Sequence, residues 1–310
     1  MKVLFWGTPE FAVPSLRALQ EEGHIVVAVV TQPDRPAGRG RAVRPSPVKR
    51  EANEEGIPVL QPEDPNDPRF VASLRLLGAE ISVVVAYGRI LSEDVLNVPE
   101  RGSVNVHASL LPKLRGAGPV HWAIIRGHPN TGVTIMRIVP ELDSGPILYT
   151  VETRFPDDIT AGELAERLAE VGATALVEAL AQMEAGSLPE KDQDHDRATY
   201  APKLSRETAR LDWSLDAKQL GRWIRGCDPS PAAWTTLNGS PVQLFGPTPG
   251  DEPTHAEPGT VVRADPRSGL AVATGRGTLD IAEVRPEGRP RMTSRAWISG
   301  RAVAAGDRFV

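Results

Sequence analysis

Apolar residues in the first half of the chain gather into short unbroken runs at Val3 to Trp6, His24 to Thr31 and Ile81 to Ala86, with a strand end at Val104 to His107. A strand without polar alternation must be covered on both faces, so these runs predict a parallel sheet with helices on each side. The segments between them carry helical periodicity: Phe11 to Glu22 behind a proline, Pro47 to Glu55, Phe70 to Leu77 and Val120 to Arg126. A longer amphipathic helix, capped by Thr160, sets Leu164, Leu168, Val171, Ala175 and Leu180 on roughly one face and ends near Gly186.

Beyond Gly186 the pattern changes. Pro189 to Arg210 is polar and charged without an apolar period, and reads as an extended linker. A helix at Ala217 to Gly226 then precedes short strand-like runs at Ala233 to Leu237, Val242 to Phe245, Thr260 to Val262, Leu270 to Ala273 and Leu279 to Val284. Turn residues such as Asn238-Gly239 and Ser268-Gly269 separate them, which suggests a small barrel. The expected organisation is a first domain over residues 1–188, a linker over 189–210 and a second domain over 211–310.

Composition agrees with this division, because 310 residues exceed what one hydrophobic core usually organises. The apolar start around Val3 to Trp6 is cut short by Gly7-Thr8-Pro9-Glu10, and no apolar stretch reaches membrane length, so neither secretion nor membrane insertion is expected. Cys227 is the only cysteine; no intrachain disulfide can form, and a reducing cytoplasm suits the chain. The net charge of −5 argues against indiscriminate coating of nucleic acid, yet the charge is unevenly spread. Arg35, Arg39, Arg41, Arg44, Lys49 and Arg50 cluster without an acid among them, and arginines 285, 289, 291, 295, 301 and 308 enrich the end of the chain. Both are places where an RNA backbone could dock, or simply solvated loops.

Three kinds of cofactor site lack support. Gly7-Thr8-Pro9-Glu10-Phe11-Ala12 follows the first strand but lacks the further glycines that admit a pyrophosphate. No phosphate loop ending in Lys-Ser or Lys-Thr occurs, and six scattered histidines with one cysteine offer no metal-ligand spacing. The candidate chemistry lies elsewhere. Asn105 and His107 alternate along a strand, share a face and sit at its carboxyl end, where open sheets bind ligands. Asp143 follows in Leu142-Asp143-Ser144-Gly145. An amide, an imidazole and a carboxylate are the groups needed to hold, polarise and protonate a small acyl group in transfer. Taken singly, each has a plainer reading: a hydrogen-bonded strand end for the pair, a turn residue for Asp143, and a stiff buttress for Ser109 to Pro112.

Together these stretches, NVHASLLP at 105 to 112, RGAGP at 115 to 119 and LDSGPIL at 142 to 148, resemble the formyl-tetrahydrofolate-dependent formyltransferases. The likeness extends through VLFWGTPEFAVPSL at 3 to 16, TQPDRPAGRG at 31 to 40, PSPVK at 45 to 49, VVVAYGRIL at 83 to 91 and TGVTIM at 131 to 136. It is strongest to the members that act on methionyl-tRNA. The resemblance implies a Rossmann-like catalytic domain followed by an OB-like barrel. It also implies a catalytic trio of Asn105, His107 and Asp143, and a folate border made by Ser109, Leu110, Leu111 and Pro112 with Tyr87 and Gly88. Arg39 and Arg41 resemble an insertion that contacts the tRNA acceptor stem. The implied co-substrate is 10-formyltetrahydrofolate and the partner initiator methionyl-tRNA, with no metal and no nucleotide cofactor, in a cytoplasmic monomer.

The implied reaction is attack by the α-amino group on the formyl carbon, through a tetrahedral species with a negative oxygen. Asn105 and His107 are expected to stabilise that oxygen while Asp143 manages protons; the carboxylate could equally keep His107 charged as a donor or leave it neutral to take the amine's proton. Purine-pathway and sugar-nucleotide formyltransferases and formyl-tetrahydrofolate hydrolases share parts of this pattern, and PDRPAGRG distinguishes the chain from them. A non-catalytic RNA-binding module would be expected to lose part of the trio, which is complete here. The stretch from Asp34 to Ser46, rich in glycine and proline, is expected to be a loop that is mobile until RNA orders it.

Overall fold

The computed structural model describes residues 1–37, 42–250 and 253–310. Two compact units emerge: Met1–Gly116, Asn130–Arg154 and Ala165–Ala201 make the first, and Ala117–Pro129, Phe155–Leu164 and Pro202–Val310 the second.

In the first unit, strands β1 (Lys2–Gly7), β2 (Ile25–Val30), β5 (Val59–Leu60), β6 (Ile81–Val85), β7 (Ser103–His107), β8 (Asn130–Arg137) and β9 (Ile147–Arg154) form one sheet in the order β5-β2-β1-β6-β7-β8-β9. The five strands from β5 to β7 run parallel, as their Val and Ile runs require. The last two do not, because β8 pairs antiparallel with both β7 and β9. The sheet is therefore mostly parallel with an antiparallel edge. Helices α1 (Val13–Glu21), α2 (Pro47–Glu54), α3 (Pro68–Arg75) and α4 (Glu93–Leu96) connect the parallel strands. Strand order reverses between β1 and β6, the switch point at which open sheets form a ligand crevice. Beneath it Leu4, Trp6, Ala28, Val30, Val84 and Tyr87 pack with Val71 and Leu74 of α3.

Between Asp34 and Ser46, where a loop was expected, β3 (Arg35–Ala37) and β4 (Ala42–Arg44) pair antiparallel with Arg35 opposite Arg44. Main-chain pairing, which needs no apolar side chains, builds this hairpin. Arg39 and Arg41 lie outside the described residues.

The long helix α6 (Ala161–Glu184) begins as read: Glu163 accepts from the Thr160 N–H and hydroxyl at 2.8 and 2.7 Å, and the Glu163 N–H donates back to the Thr160 hydroxyl at 3.3 Å. Residues 189–210 are attached along their length. Lys191 and Ile147 exchange main-chain bonds, Gln193 is buried, and Arg115 pairs with Thr199 and Ala201 on either side of Tyr200.

In the second unit, α5 (Pro119–Ile125) lies on α7 (Ala217–Cys227), with Trp122 edge-on to Trp223 at 5.9 Å. Strands β10 (Trp234–Leu237), β11 (Ser240–Gly250), β12 (Val261–Asp265), β13 (Gly269–Ala273), β14 (Thr278–Pro286) and β15 (Met292–Thr293) form the antiparallel sheet of the small OB-like barrel. Bridges from Leu237 to Phe309 and from Thr260 to Arg308 tie the chain's end to it, and helix α8 (Ser294–Ser299) covers it. Trp213, Ile224, Leu244, Val272, Leu279 and Phe309 fill the core around the buried Cys227. Among the described residues no helix is long and apolar enough to cross a membrane.

Candidate functional site

Strand β7 is held on one side by β6 and on the other by β8, so its carboxyl end is a fixed platform. Asn105 and His107 project from one face of it, two residues apart. Asn105 is half-buried, and among the described residues no hydrogen bond claims its amide, so its donors remain available. His107 is buried, and its Nε2 lies 3.0 Å from the carbonyl oxygen of Leu114. A carbonyl can only accept, so Nε2 carries the proton, and Nδ1 is bare when the ring is neutral. Nδ1 faces Asp143 Oδ2 at 3.8 Å.

Asp143 arrives on the turn between β8 and β9 with φ of +49°, in the left-handed region that few residues other than glycine adopt. Its carboxylate oxygen Oδ2 accepts from the Gly116 N–H at 2.7 Å. Gly116, at φ +109°, could not be larger: a Cβ there would come within 2.8 Å of the Ala201 carbonyl oxygen. The structure thus brings His107 and Asp143 together and sets Asn105 beside His107 on the same strand face.

Ser109 to Pro112 follow at once. The Ser109 hydroxyl donates to the Lys113 carbonyl at 2.7 Å, while Thr134 of β8 donates its hydroxyl proton to the Ser109 carbonyl at 2.7 Å and accepts from the Leu111 N–H at 3.2 Å. Ser109 and Leu111 are buried; Leu110 and Pro112 keep partial exposure. This stretch is a braced wall whose polar groups are satisfied internally.

Tyr87 and Gly88 sit past β6. The Tyr87 ring is buried edge-on to Trp6 at 5.2 Å, and burial pushes its phenol up to about 12. Its carbonyl accepts from Thr8 Oγ1 at 3.1 Å and Gln32 Nε2 at 3.3 Å, which pins the main chain here to the first strand's exit and to Gln32. Gly88 is exposed and joins Thr8, Pro9, Gln32, Arg35, Arg44, Ser46, Arg50 and Arg89 around an open cleft of about 650 Å³ at the switch point. Gln32 of this lining is also tied into a polar network formed by residues outside it. Lys49 Nζ donates to Asp34 Oδ2 and Gln61 Oε1, both at 2.6 Å, while Gln61 Nε2 donates to Asp34 Oδ1 at 2.7 Å and the Gln32 carbonyl at 2.9 Å. These bonds, the one from Lys49 foremost, hold the Asp34 carboxyl below the usual carboxylate range. Arg89 Nε donates to Gln32 Oε1 at 3.1 Å, which ties the hairpin's root to the segment after β6.

Sequence reasoning missed Gln193, whose side-chain amide donates to the Asp143 carbonyl at 2.9 Å and the Gly145 carbonyl at 2.8 Å. It also gave no role to Arg115, which grips Gln193 Oε1 through Nε at 3.0 Å and a terminal nitrogen at 2.7 Å. A lone Gln between two aspartates in a polar stretch carries no periodic or motif signal.

Comparison with known proteins bears on the same region. Residues 1–180 match the family described as formyl transferase, and residues 203–302 match the formyl transferase C-terminal domain. A methionyl-tRNA formyltransferase of Methylococcus capsulatus is 47% identical over 304 residues, covering 98% of each chain. One from Bacillus subtilis is 44% identical over 307 residues, covering 99% of this chain and 96% of the relative. Among solved structures, WlaRD, a sugar 3N-formyl transferase, superposes with a TM-score of 0.66 at 16% identity over 94% of this chain and 99% of its own. HypX from Aquifex aeolicus, solved with tetrahydrofolic acid, gives a TM-score of 0.64 at 20% identity over 96% of this chain and 47% of its own. These two likenesses speak to the fold.

Proposed function

We propose, from the premise that the chain belongs to the formyl transferase family, that it is the enzyme that formylates methionyl-tRNA. It transfers the formyl group of 10-formyltetrahydrofolate to the α-amino group of initiator methionyl-tRNA and yields N-formylmethionyl-tRNA for translation initiation. The observation that carries this reading is the likeness, at 47% identity over nearly the whole of both chains, to a relative named for that activity. The complete trio and the cationic cleft at the switch point support it.

The trio divides the work. Asn105's unclaimed N–H groups donate to the formyl oxygen as negative charge builds on it, the kind of contact whose strength appears in the transition state. His107, with its proton committed to the Leu114 carbonyl, presents a bare Nδ1 that takes the proton from the attacking amine. The imidazolium so formed faces the Asp143 carboxylate, which stabilises it until the proton passes to the folate nitrogen ten as its bond to the formyl carbon breaks and tetrahydrofolate leaves. Of the two roles open to His107 from sequence, this geometry favours the base. Cys227 is no nucleophile here, since burial in the barrel core pushes its thiol up to about 12.

Leu110 and Pro112, with the main chain at Tyr87 and Gly88, are the surfaces we assign to the folate. Arg39 and Arg41, flanked by Arg35 and Arg44, are assigned to the acceptor end of the tRNA. The test incubates the purified protein with formyl-tetrahydrofolate and, in turn, charged initiator tRNA, a glycinamide nucleotide and an amino-sugar nucleotide. Formylation of the tRNA alone is expected; formylation of a small acceptor in its place would overturn the assignment.

A further inference from the structure

Asp143 has to present its carboxylate to His107 from a backbone conformation that the residue does not favour by itself. The carboxylate end is fixed by the Gly116 N–H. The backbone end is fixed by Gln193, which is buried and bridges the carbonyls of residues 143 and 145 across the turn. An amide side chain can lie either way round, and here Arg115 decides which. A guanidinium only donates, so Oε1 must face Arg115 and both N–H donors must face the carbonyls.

Arg115 is itself buried, and the partners described for its guanidinium, Gln193 Oε1 and His195 Nδ1, carry no negative charge. With no carboxylate among these partners, its charge acts on the Gln193 amide through two contacts, polarising it and strengthening the bonds it gives onward. The contacts close a ring: Gly116 N–H to the Asp143 carboxylate, the Asp143 carbonyl to Gln193, Gln193 to Arg115, and Arg115 to Gly116 through the peptide bond. A pure packing role would need neither the fixed amide orientation nor a buried cation behind it.

We infer that Gln193, oriented by Arg115, is a positioning residue that sets the Asp143 carboxylate against His107. The inference rests on the formyl-transfer reading of the trio. Its loss should disturb turnover and leave donor binding alone, because neither side chain is placed on the folate border or in the cationic cleft.

Two variants test it, with circular dichroism and thermal melting to establish folding. Gln193→Leu keeps the volume and removes every polar contact. Gln193→Glu keeps an acceptor for Arg115, now as an ion pair, but cannot donate to the two carbonyls. Folded Gln193→Glu should lose about tenfold in kcat, the scale of one ordinary hydrogen bond, with KM for the formyl donor within twofold and a displaced pH–rate profile. Gln193→Leu should lose at least as much, and Gln193→Glu decides alone where Gln193→Leu does not fold. Normal kcat and an unmoved pH profile in folded Gln193→Glu would overturn the inference while formylation by the parent protein leaves the function standing. A parent protein that does not formylate the tRNA removes the function first.

Discussion

Two polar clusters at the carboxyl edge of one sheet are held in opposite ways. At the end of β7 the groups we assign to the chemistry are buried or half-buried, and the main chain fixes two of them: Leu114 holds His107 and Gly116 holds Asp143. At the switch point Arg35, Arg44 and Arg50 are exposed, and the side-chain hydrogen bonds run instead among Lys49, Asp34 and Gln61, neighbours of those arginines along the chain or at the hairpin's root. The difference matches the work proposed for each. Proton transfer and oxyanion stabilisation demand positions fixed to a fraction of an ångström before the reaction begins. Recognition of a phosphate backbone demands charge with reach, and tolerates side chains that settle only on contact.

The comparison breaks most sharply at the trio. Asn105→Ala, His107→Ala and Asp143→Ala should each lower kcat by about a hundredfold, corresponding to ~3 kcal/mol of lost transition-state stabilisation. Folate affinity, measured by equilibrium binding, should hardly move. Collapsed folate binding with near-normal turnover in all three would remove them from the chemistry.

The next effect belongs to the arginines. Arg39→Ala with Arg41→Ala should lower kcat/KM for tRNA by about tenfold and flatten its salt dependence by about one unit of slope per lost phosphate contact. Kinetics across a salt series reads both quantities, and an unchanged slope would leave these two side chains without a role. Lys49→Met addresses the root of the hairpin: the arginines stay, but Asp34, next to Arg35, loses its bond to Lys49. A fall of about fivefold in kcat/KM for tRNA, with the salt slope retained, is expected. Loss of the slope in that variant would make Lys49 a phosphate contact instead.

The smallest effect is on stability. A carboxyl held below its ordinary value binds its proton less readily in the folded protein than in the unfolded chain. The contribution of Asp34 is therefore complete above about pH 4 and fades as pH falls through the lowered value. Because the pair with Lys49 is partly exposed, Asp34→Asn should lower Tm by no more than about 2 °C at neutral pH, and by nothing at the acid end. Melting curves from pH 7 downward check the convergence of the two proteins.

The parallel strands were legible in sequence because burial on both faces leaves a mark that period and composition register. Ile81–Val85 is buried at every position. The antiparallel pair β8 and β9 was not marked as strands, since Ile147–Arg154 alternates buried with exposed positions only in part and its apolar content is modest. The trio was legible as a set of chemical types, and β7 does put Asn105 and His107 on one face. Asp143's left-handed backbone left no trace in its own letter, and neither did the means of holding it. Gln193 lies fifty positions further along the chain from the residue it holds. Such a contact depends on where the fold returns the chain, which local pattern does not encode. The same limit explains the interleaved units: Trp122 reads as one apolar residue in a short helix until α7 brings Trp223 against it.

The single sulfhydryl has a practical corollary. Because Cys227 is buried and its thiolate is suppressed, alkylating reagents at neutral pH should leave the native protein unmarked. A cysteine introduced at an exposed position on the hairpin, as in Arg44→Cys, would then be a unique attachment point for a fluorophore. Such a dye would report on the arrival of RNA at the cleft in real time, in a protein from which no native residue had first to be stripped of its reactivity.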